Sequence, residues 1–266
     1  MSWLPWTAAA AETTAGLVAK KAALLTDLHQ RISFSLVTVA QDQAYKDYFR
    51  EQDAARREEL LKRIDQISLN AQSRFKVDEM CLIGADGGEI SRIVDSVVAY
   101  DLSPDETGAV FFAPGFAQPD RGVYVSPPYL SPDTEFWVVG YATPILVDGE
   151  MQAILHFEHR IDVFRELLAK QAPAEGFQLL AVTDSGWVIY DSMREIAVGK
   201  SGDSISPADY FQQFDIGGLD LAALTSRFGG AEAGQGEMTV AGSRVSIAYR
   251  KVGGWTLVVL QEQAGS

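Results

Sequence analysis

The sequence predicts an α+β protein in which a long N-terminal helix precedes two similar units, each a central antiparallel sheet flanked by helices. Three observations support this. Residues 7–75 contain no Pro and one Gly, and their apolar residues recur at helical spacing. A strand, a turn with Asp and Gly, and a second strand occur at 78–94 and again at 177–190. Hairpin signals close both copies, at 147–150 and at 253–254.

The helical segment comes first in the chain. Its apolar positions include Leu17, Leu24, Leu28, Ile32, Leu36 and Val39. At 1.5 Å per residue, a continuous helix of this length would run about 90 Å, which is longer than a single domain. We therefore expect it to act as a spine, and we expect a homodimer through this N-terminal helix.

The organisation that follows is 1–75 for the helix, 76–170 for the first unit and 176–262 for the second, with residues 171–176 as the linker. Cys81 is the only cysteine, so no intrachain disulfide and no cysteine-based metal site is expected. It falls within an apolar strand, where a buried thiol is the ordinary outcome.

The charge of the chain argues against some partners. Lys and Arg number 22 and Asp and Glu number 36, which gives a formal net charge of −14. Nucleic acids and anionic lipids are bound through clustered Lys and Arg, and the sequence has no such cluster. No apolar run reaches the roughly 18 residues of a membrane span.

The centre of the chain contains three predicted strands, at 123–126, 136–145 and 151–159. Their motifs are VYVSPPYL, WVVGYATPI and DGEMQAILHFEHRIDVF. This pattern resembles the membrane-distal half of a double-Cache sensor domain, a PAS-like extracytoplasmic module of bacterial transmembrane receptors. The C-terminal GWTLVVLQ is similar to the last strand of the membrane-proximal half.

The resemblance implies a periplasmic, membrane-tethered domain of a histidine kinase, chemoreceptor or diguanylate cyclase. Such a domain binds a small solute in the distal unit and transmits a conformational change to the membrane. Family members that bind amino acids carry an Arg where this chain has Ala109, and an Asp where it has Glu158. Because the carboxylate clamp is missing, the resemblance argues against a free amino acid bound in the usual way.

The candidate pocket has aromatic walls and few charges. Its predicted ligand-binding residues are Phe111, Phe112, Arg121, Tyr124, Tyr129, Trp137, Tyr141, His156 and Glu158. Aromatic rings around one carboxylate suit an amine or a quaternary ammonium by cation–π attraction. Arg121, if it turned inward, would suit a small carboxylate instead.

Two other functions compete with a sensor. A structural, dimerisation or protein-interaction module with a degenerate pocket would account for the loss of the clamp at Ala109. An enzyme is disfavoured, because His156 and Glu158 share one face of a strand while His159 points away. No nucleophile elbow or nucleotide-binding loop is present either. We therefore expect no catalytic residue, no cofactor and no metal.

Overall fold

The computed structural model describes residues 12–170, 176–196, 199 and 204–263. The predicted linker, apart from Gly176, lies outside these residues. The chain divides into two compact units. The larger unit comprises Leu25–Leu168 and Ile196–Gln212, and the smaller unit comprises Met1–Leu24, Ala169–Glu195 and Gln213–Ser266.

The N-terminal segment is helical, but it is not one helix. Its helices are α1 (Thr14–Ala40), α2 (Gln43–Arg50) and α3 (Ala54–Phe75). Asp42 and Asp53 each take an extended conformation and accept a hydrogen bond from a backbone N–H of the following helix. An Asp in this role starts a new helix. The prediction of a continuous helix over 1–75 was therefore wrong, although α1 is a long helix of 27 residues.

The apolar positions of α1 are packed inside the protomer. Leu17, Leu25, Ile32, Leu36 and Val39 are all buried. A homodimer through this helix would therefore have to use its other face, where Phe34 is 74% exposed. None of the described helices is both long and apolar enough to cross a membrane.

The larger unit is built on a sheet with the order β3-β2-β1-β7-β6-β4, in which β5 also pairs with β6. The helices α1 to α3 precede these strands, and two shorter helices accompany them, α4 (Phe112–Phe116) and α5 (Ile161–Ala169). The strands are β1 (Glu79–Gly84), β2 (Glu89–Val94), β3 (Val97–Val98), β4 (Tyr124–Val125), β5 (Tyr129–Leu130), β6 (Trp137–Val147) and β7 (Glu150–Arg160).

The long hairpin of this sheet joins β6 to β7 through Asp148 and Gly149, which have φ of 54° and 87°. These angles are those of the turn predicted from the Asp-Gly pair. The pairing shifts by one residue between Ile145 and Leu146, which marks a β-bulge. A bulge changes which side chains of the two strands face one another.

The smaller unit has a second antiparallel sheet, in the order β10-β9-β8-β13-β12-β11. Its apolar core includes Leu180, Val182, Ile247, Tyr249 and Val258, with helix α6 (Leu221–Arg227) packed through Leu221 and Leu224. The strands are β8 (Phe177–Thr183), β9 (Trp187–Asp191), β10 (Gln212–Gln213), β11 (Ala233–Val240), β12 (Ser243–Val252) and β13 (Trp255–Glu262).

Candidate ligand-binding site

A cavity of about 540 Å³ lies in the larger unit. Strands β1 and β7 contribute Glu79, Cys81 and Glu158 to its wall. The remaining lining comes mainly from the connections around α4 and β5 and from residues near 205–207.

Sheet register brings the polar groups of the wall together. Glu79 pairs with Glu158 and Cys81 pairs with His156 across β1 and β7. Gly140 of β6 lies opposite Glu158 on its other side. Directly opposed residues of antiparallel strands project to the same face, so these side chains form one polar surface.

Tyr129 organises this surface from β5. Its hydroxyl donates to Oε1 of Glu158 at 2.5 Å and lies 3.1 Å from Nε2 of His156. Among the described residues, no N–H or hydroxyl group donates to the buried Oε2 of Glu158, so the opposed carboxyl group of Glu79 is the group that can donate to it when protonated. Burial raises the pKa of Glu158 to about 7, although the hydrogen bond from Tyr129 acts in the opposite direction.

Glu79 is the second buried carboxyl group. The thiol of Cys81 donates to its Oε1 at 3.1 Å, and the hydroxyl of Ser131 donates to its Oε2 at 3.4 Å. Burial, followed by the nearby carboxylate of Glu158, raises the pKa of Glu79 to about 10. Burial and mutual repulsion both raise the pKa of this carboxyl pair, which favours a protonated state of the pair.

A glycine leaves room for this arrangement. A Cβ on Gly140 would lie 2.7 Å from Nε2 of His156 and 3.0 Å from the hydroxyl of Tyr129. Both atoms belong to buried, hydrogen-bonded rings, so neither can move away cheaply. The absence of a side chain at this position allows Tyr129 to reach Glu158.

Aromatic rings cover the polar surface. Phe111 stacks on the imidazole of His156 with ring centroids 3.7 Å apart, and it lies 6.0 Å from the ring of Tyr129. Burial lowers the pKa of His156 to about 3, so the imidazole is neutral. Trp137 contributes to the lining and packs edge-on against Phe211 at 4.8 Å.

The cavity is strongly acidic. Among the described residues, its lining includes no Lys or Arg. Arg92 lies close by, but its guanidinium binds Glu89 at 3.2 Å, Asp101 at 2.7 Å and Asp133 at 3.1 Å. The carboxyl groups of the lining are those of Glu79, Glu89, Asp105, Glu106, Asp133 and Glu158. Such an excess produces a negative potential that attracts cations.

The structure brings some of the predicted residues together. Phe111, Tyr129, Trp137 and Glu158 line the cavity, and His156 lies behind Phe111.

Four predicted residues lie elsewhere. Tyr141 is on the opposite face of β6, where its hydroxyl is 2.6 Å from Nδ1 of His29. Phe112 packs on Phe116 within α4, and Tyr124 packs against the neighbouring apolar cluster. The side chain of Arg121 is 66% exposed beside Asp120, so it does not turn inward as a carboxylate clamp would require.

Solved structures of receptor domains share this architecture. The sensory domain of the Campylobacter jejuni chemoreceptor Tlp3, solved with isoleucine bound, is 13% identical and matches 94% of this chain and 91% of that chain with a TM-score of 0.70. The sensor domain of the V. cholerae histidine kinase DctB is 11% identical and matches 94% of this chain and 95% of that chain with a TM-score of 0.62. The chain has the double-Cache fold. No family model and no curated protein matches the sequence.

The double-Cache fold confirms the architecture expected from the central motifs. The acidic lining of the cavity, however, was missed. Glu79 lies far in sequence from Glu158, and only the pairing of β1 with β7 places them side by side. The sequence signal that was present is the alternation of Glu79 and Cys81 in an otherwise apolar strand, which puts both on one face.

The donor atoms of Glu79, Cys81 and Glu89 lie within 4.8 Å of one another in this double-Cache cavity. Their existing partners oppose a metal ion. Glu89 already accepts the N–H of Ser103 at 2.6 Å and the guanidinium of Arg92. A divalent cation would have to displace the Cys81 proton and sit beside a positive charge, so we do not assign a metal site here.

Proposed function

We propose that this chain is the extracytoplasmic sensory domain of a membrane receptor, and that the cavity of the larger unit binds a small organic cation. The larger unit takes the membrane-distal, ligand-binding role and the smaller unit the membrane-proximal role. A bound solute that favours one of two conformations is sufficient for signalling. The double-Cache fold supports the sensory role, and the cavity supports the ligand class.

The observation that carries the ligand class is Glu158, a buried carboxyl group at the wall of an acidic cavity, one oxygen of which receives no hydrogen bond from an N–H or hydroxyl group of the described residues. An ammonium group would supply both the missing donor and the missing charge. The neighbouring ring of Phe111 can contribute about 0.5–2 kcal/mol of cation–π attraction. The isoleucine bound by Tlp3 also carries an ammonium group, which supports a ligand of this class.

A small carboxylate is the weaker candidate for the ligand of this cavity. Arg121 is exposed, and Arg92 is already surrounded by three carboxylates. An anion entering the cavity would therefore meet repulsion from Glu158 and Asp133 without a free guanidinium to bind it.

A thermal-shift comparison tests the proposal with n-butylammonium, butyrate and butan-1-ol, which have similar size and different charge. Binding to the native state alone stabilises it by about 2.7 kcal/mol at a hundredfold excess over Kd. We expect a shift with n-butylammonium that is lost in Glu158→Gln and retained in Glu150→Gln, an exposed glutamate of the same strand. A preference for butyrate would contradict the cationic ligand and favour the small carboxylate. No shift with any probe would contradict both ligands and favour the interaction module.

A further inference from the structure

The two glutamates of the cavity wall form a like-charged pair with little access to water. Glu79 and Glu158 are directly opposed on neighbouring strands, and they are 4% and 2% exposed. Two carboxylates in such a site cannot both stay ionised unless a positive charge accompanies them. The surroundings therefore decide whether the pair carries a proton.

Among the described residues, no charged neighbour supplies that positive charge. From β2, Arg92 faces Glu89, and its guanidinium also binds Asp133 and Asp101. From the loop before α4, Asp105 and Glu106 add further negative charge to the cavity.

The uncharged titratable neighbours of the pair act as hydrogen-bonding groups. Cys81 on β1 donates its thiol proton to Glu79, and burial raises the pKa of this thiol well above its usual value. Tyr129 on β5 donates to Glu158, and burial raises the pKa of this phenol as well. His156 on β7 is neutral, since burial lowers the pKa of its imidazole to about 3. On β6, Gly140 opposite Glu158 contributes no side chain.

We infer that Glu79 and Glu158 share one proton in the ligand-free protein, and that a bound ammonium group displaces this proton, so that each binding event releases one proton to solvent. The inference rests on the proposed function for the identity of the ligand. In the exchange no covalent bond other than the carboxyl O–H breaks. The pair passes from one proton and one negative charge to two negative charges, and the ammonium compensates the charge gained. The shared proton is also supported by the raised pKa values of both groups.

Infrared difference spectroscopy tests the shared proton without any ligand. At a pH above the pKa of Glu158, the C=O stretching band of a protonated carboxyl group should be present in the wild-type protein and absent from Glu79→Gln. Its absence from the wild-type spectrum would overturn the inference, whatever the ligand proves to be.

Calorimetric titration with n-butylammonium, in two buffers of different ionisation enthalpy, tests the exchange. We expect about one proton released per ligand in the wild type and an affinity that rises about tenfold per pH unit below the pKa of the pair. At a pH above the pKa of Glu158, Glu79→Gln should bind without releasing a proton, whereas the wild type still releases one. Glu150→Gln, an exposed change outside the cavity lining, should release as many protons as the wild type.

The possible outcomes distinguish the proton exchange from the proposed cationic ligand. Binding of n-butylammonium without proton release would overturn the exchange and leave the proposed function in place. Failure of the wild type to bind n-butylammonium would contradict the proposed ligand and the exchange together. The wild-type measurements decide the question even if Glu79→Gln does not fold.

Discussion

The hydroxyl of Tyr141 lies 2.6 Å from Nδ1 of His29, so a polar contact joins α1 to the strand β6. His29 also lies against Phe164 of α5, with ring centroids 5.4 Å apart. Gly140, next to Tyr141, projects to the other face, opposite Glu158. The strand β6 therefore borders the cavity on one face and contacts the N-terminal helix on the other.

Two buried histidines, His29 and His159, lie on the side of β6 that contacts α1 and should make the protein less stable in acid. Burial lowers the pKa of His29 and the pKa of His159 to about 4. Below the ordinary His value of 6.5 the unfolded chain binds these protons and the native state does not, so stability should fall as the pH drops from 6.5 towards 4. Each group contributes a slope of about 1.4 kcal/mol per pH unit. In urea unfolding over this pH range, the free energy of unfolding of His29→Gln should change by about 1.4 kcal/mol per pH unit less than that of the wild type. An unchanged pH dependence would contradict the lowered pKa of His29.

The raised pKa of Glu79 predicts the opposite trend with pH. The native state holds this proton above the ordinary value of 4.5, where the unfolded chain has lost it. Stability should therefore decline as the pH rises from 4.5 towards about 10, by about 1.4 kcal/mol per pH unit. Glu79→Gln should flatten this decline in urea unfolding measured between about pH 5 and about pH 9. The exposed Glu150→Gln is the matched control and should keep the wild-type slope.

A methyl group at Gly140 should damage the site. Its Cβ would lie 2.7 Å from Nε2 of His156, and overpacking of this kind costs about 1–3 kcal/mol. We expect Gly140→Ala to lower both the melting temperature and the affinity for n-butylammonium, because it pushes Tyr129 away from Glu158. Gly108→Ala is the matched control, since nothing lies within 4 Å of a Cβ there. Equal behaviour of the two variants would contradict the close packing at Gly140.

Removal of the Tyr129 hydroxyl should weaken cation binding rather than abolish it. The hydrogen bond from this hydroxyl lowers the pKa of Glu158, so Tyr129→Phe should raise that pKa further. At neutral pH we expect n-butylammonium to bind about tenfold more weakly for each pKa unit gained. Calorimetry over a pH series should show the affinities converging as the pH rises. Tyr124→Phe, which alters a ring packed beside the cavity's apolar cluster, should bind like the wild type.

The local features of this fold could be predicted from the sequence. The Asp-Gly turn at 148–149 and the strands around it depend on residues that are close in the chain. The breaks at Asp42 and Asp53 also have a local sequence signal, because each Asp precedes a helical segment that it can cap. The prediction missed them because the helical periodicity of apolar residues continues across both breaks.

The composition of the cavity could not be predicted in the same way. A two-residue turn with regular pairing would place Tyr141 opposite His156, whereas the bulge between Ile145 and Leu146 pairs Ala142 with His156 instead. This one-residue shift turns Tyr141 away from the cavity. The pairing of Glu79 with Glu158 likewise depends on a contact between strands that are distant in the chain.

The single thiol of the chain lies in the cavity wall, where Cys81 is 2% exposed and hydrogen-bonded to Glu79. A thiol-selective reagent small enough to enter can therefore label only this position, and it does so slowly, because burial raises the pKa of the thiol. A solute seated against Glu79 would shield the sulfur, so the labelling rate becomes a chemical footprint of occupancy. This footprint needs no engineered probe, and it can be followed by mass spectrometry in unfractionated mixtures of candidate solutes.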